Sequence, residues 1–123
     1  MILVDTSIWI DHLRAADKTL IELLDAGTVL LHPFVIGELA LGNLRQRDLI
    51  LGILQDLPQA SVATGQEVLL FIRRHALFGL GIGYVDAHLL AAVRLAEGTS
   101  LWTRDQRLRT VADQMGLAAS LLH

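Results

Sequence analysis

The first patterned residues are Ile2, Leu3 and Val4, three apolar side chains in a row that end at Asp5, Thr6 and Ser7. Such a run predicts a short buried strand whose carboxyl end, marked by Asp5, passes directly into the start of a helix. Leu20, Ile21, Leu23 and Leu24 then recur at helical spacing, bracketed by Asp17 as N-cap and Gly27 as stop. A second short strand is expected over 28–31. Pro33 suits the first turn of a further helix reaching about Gly42, to which Phe34, Val35, Ile36, Leu39 and Leu41 give an apolar surface, with Glu38 embedded among them.

The second half repeats this alternation. A helix over 46–57 is expected to stop at Pro58, and a weak strand follows over 60–62. Thr64 and Glu67 have capping-box spacing and open a helix reaching about Leu77. Gly79, Gly81 and Gly83 lie too close together for a helix interior and predict a loop leading to Tyr84. Asp86 falls in the first turn of a helix that ends at Gly98. Leu101, Trp102 and Thr103 form the last clear strand, and Asp105 begins a helix that Gly116 ends.

Strands alternating with helices imply an α/β fold, a parallel sheet covered by helices on both faces. With no repeat and no linker, residues 1–123 read as a single domain. Polar groups at the carboxyl ends of such strands converge on one crevice. Asp5 and Asp105 follow strands and Asp86 opens a helix, so all three belong to one edge of the sheet.

Composition narrows the setting. With 53% hydrophobic and 19% charged residues the chain is far from disorder, and the apolar excess implies a partner over part of its surface. The absence of cysteine excludes disulfides and cysteine-held zinc and fits a reducing cytoplasm. No secretory or membrane-spanning segment is expected, because no run approaches the roughly 20 apolar residues a span requires. A net charge of -3 argues against a generally basic nucleic-acid-binding surface. Local patches remain possible, and every basic residue except Lys18 is an arginine, suited to bidentate phosphate contact.

Taken singly, Asp5, Asp86 and Asp105 are explained as helix caps, each worth about 0.5–2 kcal/mol, and Glu38 as a solvent-facing polar position. Gathered in one crevice they need a counter-charge, since two unit charges about 5 Å apart repel by roughly 3 kcal/mol at an effective dielectric near 20. A divalent cation supplies it. Oxygen-only donors, without cysteine or a histidine pair at helical spacing, favour magnesium or manganese over zinc. Such ions activate water and clamp the oxygens of a phosphodiester. An aspartyl-phosphate chemistry at Asp5 is disfavoured, because Ser7 stands where a second carboxylate is needed and no lysine follows Lys18.

Leu3-Val4-Asp5-Thr6-Ser7, Gly37-Glu38-Leu39, Asp86 through Ala92, and Leu101-Trp102-Thr103-Arg104-Asp105 resemble, in order and context, the acidic motifs of PIN domains over essentially the whole chain. The length and the opening Val-Asp-Thr-Ser-Ile-Trp resemble the VapC toxins within that family. The resemblance implies a three-layer α/β/α sandwich with a short, mainly parallel central sheet. It further implies that Asp5, Glu38, Asp86 and Asp105 gather around one or two magnesium or manganese ions to hydrolyse RNA. Thr103 matches the family's Ser/Thr position and would orient a carboxylate or water, with Thr6 or Ser7 in similar roles. A homodimer and a cognate antitoxin in the active-site groove are implied as well. The alternative is a catalytically inactive binding or dimerisation module whose carboxylates serve only as caps. Some relatives carry a last edge strand for which 117–123 is short.

Other residues rank lower. His12, His32, His75 and His88 are scattered and receive no metal role. Arg14, Arg73, Arg74, Arg104, Arg107 and Arg109 suit either phosphate contact or solvated helix faces. Trp9 and Trp102 are assigned to core packing or a dimer contact rather than to stacking on RNA.

Overall fold

The structure is a computed structural model and describes residues 1–121. Three strands, β1 (Ile2–Val4), β2 (Val29–Leu30) and β3 (Ser100–Trp102), form a parallel sheet in the order β2-β1-β3. Leu3 pairs with Leu30 on one side and Leu101 on the other, and Val4 pairs with Trp102. Seven helices connect and cover them: α1 (Thr6–Arg14), α2 (Lys18–Asp25), α3 (Pro33–Ala40), α4 (Arg47–Asp56), α5 (Gly65–Arg74), α6 (Tyr84–Leu95) and α7 (Gln106–Gln114).

Neighbouring strand residues point to opposite faces. Leu3 and Val4 are both fully buried, as are Leu101 and Trp102 nearly so, which requires cover on both sides of the sheet. The fold is therefore the three-layer α/β/α sandwich. α1 packs on α3 and α3 on α4, whereas α6 packs on β3 and α5 on α6. In α6 every residue from Ala87 to Val93 is buried, the signature of a helix enclosed on all sides. Alanines 63, 87 and 91 let α5 and α6 approach closely around Val68.

Local chemistry sets the boundaries. Asp17 accepts from the Leu20 N–H at 3.0 Å, and Thr64 with Glu67 forms the reciprocal capping box. Gly27 and Gly116 follow α2 and α7 with φ of +70°, the left-handed stop that glycine takes without strain. His32 caps α3 through Nδ1, which accepts from the Phe34 N–H at 3.0 Å. Its ring is fully buried against His88 and Phe34. Burial, aided by repulsion from His88, holds the His32 pKa down to about 4.

Two expectations are corrected. The strand over 60–62 does not form; pairing with β2's continuation is a single bridge from Gln59 to Leu31. The Gln59 side-chain amide donates to the Leu54 and Leu57 carbonyls, and the ladder ends with the Ala60 N–H donating to the Leu31 carbonyl at 2.6 Å. Leu41 supplies no packing surface: it lies past the end of α3 and is 90% exposed. At the other edge the tail is short for a strand, as expected: among the described residues 117–121 contribute one bridge, Ala118 to Leu101, and residues 122 and 123 lie outside those described. Trp9 and Trp102 are core residues, each 3% exposed.

Candidate active site

Asp5 ends β1 and occupies the N-cap position of α1, yet its side chain makes no capping bond. It is buried, and its Oδ2 accepts from Thr103 Oγ1 at 2.7 Å and from Ser7 Oγ at 2.8 Å. Adjacent parallel strands explain the contact: Val4 pairs with Trp102, so the next residues, Asp5 and Thr103, leave the sheet side by side. The Thr103 hydroxyl also accepts from the Asp105 N–H at 3.0 Å, tying β3's exit to β1's. Capping is thus not the use of Asp5.

The other three acids are placed by neighbouring elements. Asp105 caps α7 through Oδ1, accepting from Leu108 N–H at 3.0 Å. Asp86, in the first turn of α6, accepts the Gly83 N–H on Oδ2 at 2.9 Å. Glu38 on α3 accepts from Thr6 Oγ1 on Oε1 at 2.7 Å. Although flanked by apolar residues in sequence, Glu38 is exposed, and its carboxylate reaches the first residue of α1.

A common arrangement emerges. Each acid commits one oxygen to a hydroxyl or backbone N–H and keeps the other, Asp5 Oδ1, Glu38 Oε2, Asp86 Oδ1 and Asp105 Oδ2, free of hydrogen bonds to the described protein. Among the described residues none of the four pairs with a basic side chain. Burial pushes the Asp86 carboxyl above its ordinary pKa, and the charges of Asp5, Asp105 and Glu38 add to the rise against the lowering effect of the Gly83 N–H. The four acids therefore share one electrostatic neighbourhood.

All-oxygen donors with uncompensated negative charge fit a hard divalent cation in chemistry. In the geometry shown, no three His, Asp or Glu side chains among the described residues converge closely enough to hold a single ion. The carboxylates are pinned by one oxygen each.

Arg104 was weighed above as a phosphate contact, and the structure uses it otherwise. Its guanidinium bridges Asp11 at 2.7 Å and Asp17 at 2.6 Å and lies 5.7 Å from the Trp102 ring centre. Its backbone N–H donates to Ser7 Oγ at 3.1 Å, extending the Asp5 network. Sequence reading missed this tie because the partners are 87 to 93 residues distant. His88 lies against Phe34 and Tyr84, away from any ligand role.

A sequence model of the PIN domain matches residues 2–114, a span that includes Asp5, Glu38, Asp86, Thr103 and Asp105. Ribonuclease VapC32 of Mycobacterium tuberculosis, in strains CDC 1551 / Oshkosh and ATCC 25618 / H37Rv, is 52% identical over 118 residues, covering 96% of this chain and 95% of that protein. Fold, ordered acids and full-length similarity coincide, and the chain belongs to the PIN domain family.

Proposed function

We propose that this protein is a metal-dependent endoribonuclease, the toxin of a toxin–antitoxin pair. The observation that carries the reading is the set of four carboxylates, each anchored by one oxygen with the other free and none paired with a basic side chain among the described residues. Asp5, Glu38, Asp86 and Asp105 would hold magnesium or manganese, which when bound supplies an activated water and neutralises phosphate charge. The protein's own part is positional. Thr103 and Ser7 fix Asp5, Thr6 fixes Glu38, and the Gly83 N–H fixes Asp86, so the free oxygens keep defined starting points. The name of the curated relative, a ribonuclease, agrees with RNA as substrate.

The partner surface adjoins this site. A groove of about 720 Å³ starts at Glu38 and runs between α1, α3 and α4, with Ile10, Leu13, Leu39 and Ile50 as apolar lining and Arg14 and Arg45 beside them. A cognate antitoxin lying there would reach the acids, and an arginine from it would substitute for the cation by its fork. The remaining exposed apolar residues, among them Leu69, Leu70 and Phe78, suit a homodimer contact. A toxin ribonuclease acting on cellular RNA would work in the cytoplasm.

Purified protein in magnesium should cleave single-stranded RNA, with cleavage abolished by chelator and by Asp5→Asn, Glu38→Gln or Asp86→Asn. Circular dichroism should show these variants folded. Asp105→Asn should be milder, since in the family the fourth acid is the least consistent direct ligand. Manganese titration by calorimetry tests the ion directly. Absence of saturable binding, or binding unchanged in Glu38→Gln, would support an inactive binding module.

A further inference from the structure

The acidic site repels the polyanion it is proposed to cut, so RNA needs a protein cation nearby. Of the two arginines within two residues of Asp105, Arg104 is committed to Asp11 and Asp17. Arg107 is exposed and makes no ion pair or hydrogen bond among the described residues. It is nevertheless seated. A Cβ on Gly81 would lie 2.8 Å from both Cδ and Nη1 of Arg107, so the side chain lies directly over Gly81, whose φ of +79° itself calls for glycine. Gly81 precedes by two residues the Gly83 whose N–H holds Asp86. The guanidinium thus rests between the loop that anchors Asp86 and the helix that Asp105 caps.

Below it opens a cavity of about 220 Å³ with Leu80 and Val111 as apolar walls and Gln106, Thr110 and Gln114 as hydrogen-bonding ones. Leu80, Val111 and Gln114 also wall a second cavity, of about 490 Å³, that reaches His75 and Arg94. An apolar wall facing amides and a hydroxyl suits a nucleobase, and a held, unpaired fork at the rim suits a phosphate.

Resting on the ribonuclease reading, we propose that Arg107, seated on Gly81, and the cavity beneath it form a subsite for a nucleotide flanking the scissile phosphate of single-stranded RNA. Seating reduces the entropy lost when the guanidinium grips phosphate.

The test is steady-state cleavage of a fluorophore-labelled single-stranded RNA in magnesium across a salt series, with melting curves for every variant. Arg107→Gln should raise KM about 10-fold with kcat within about twofold, and make the slope of log kcat/KM against log salt shallower by about 0.7, the change for one lost phosphate contact. Arg107→Lys should recover part of the KM, charge remaining without the fork. Unchanged KM and salt slope in Arg107→Gln overturn the subsite, as does a fall in kcat at unchanged KM, which would mean Arg107 holds the acids instead of RNA. A wild-type protein that cleaves no RNA overturns the underlying reading and the subsite with it.

Discussion

Replacing Thr103 with valine removes one hydroxyl and almost no volume. That hydroxyl donates to Asp5 Oδ2 at 2.7 Å and accepts from the Asp105 N–H at 3.0 Å, in a position 5% exposed. A hydrogen bond to a charged group is worth about 1.5–3 kcal/mol. Ser7 still donates to the same Asp5 oxygen at 2.8 Å, so the carboxylate is not orphaned and the lower half of the range applies. Asp105 is exposed, and its N–H can turn to water at small cost. The net loss is therefore about 2 kcal/mol, or roughly 8 °C in melting temperature for a domain of this size. Function should suffer more than stability. With Oδ2 held by Ser7 alone, Asp5 can rotate, and a displacement of about 1 Å in a catalytic group costs on the order of 100-fold in rate. Thr103→Ser restores both bonds and should restore both properties. Melting in chelator and RNA cleavage in magnesium measure the two effects separately. Thr103→Val cleaving at the wild-type rate would refute the positioning argument, whatever its melting temperature.

Asp86→Asn keeps an acceptor for the Gly83 N–H while removing a charge from the acid cluster, so in chelator it should melt above wild type, whereas magnesium should stabilise wild type far more. The sign in pH agrees: a carboxyl whose folded pKa is raised favours folding most below its ordinary 3.8, and that contribution is lost as pH rises through the raised value, so denaturant titrations of wild type against Asp86→Asn should diverge toward neutral pH. His32, held to about 4 by burial, stays neutral in the fold while the unfolded chain takes up a proton near 6.5, so stability should fall as pH drops from about 6.5 toward 4. His32→Asn, which can still cap α3, should flatten that window while lowering stability throughout, because it leaves space beside His88. Thr64→Ala should lower the melting temperature by about 4 °C, the scale of a ~1 kcal/mol cap, and leave cleavage unchanged.

The elements that were legible in the sequence are those written in local chemistry. Asp17, Thr64 with Glu67, Pro33, Gly27 and Gly116 act within a few residues of themselves, and each sits where its backbone role requires. The strands were visible because both faces of the sheet are buried, which turns alternation into continuous apolar runs such as Leu3-Val4. What failed was decided at a distance. Pairing with Leu31 stopped at the single bridge of Gln59 where apolar character favoured a strand, and Leu41 fell just beyond its helix. Reading the acids as a set was possible from their order, but the division into one anchored and one free oxygen was not. It depends on Thr6 meeting Glu38 across 32 residues and on Thr103 meeting Asp5 across 98. Arg104 shows the same limit, since a sequence cannot say whether an arginine faces RNA or two aspartates of its own chain.

The pairing of Val4 with Trp102 has a consequence for how such a chain can vary. Asp5 and Thr103 are neighbours because backbone hydrogen bonds count residues along β1 and β3, not because their side chains select each other. Point substitutions in the core leave that count intact, so hydrophobic residues around Leu3 or Leu101 can be exchanged at moderate cost. Inserting or deleting one residue in the 100–103 segment is different in kind. It slips the register by one, reverses which face each side chain occupies, and sets Trp102 or Arg104 beside Asp5 in place of the hydroxyl. Length in that segment should be far more tightly constrained than identity. A library of single-residue insertions should accordingly find it closed, while the loop at Gly42 and Asn43 accepts them.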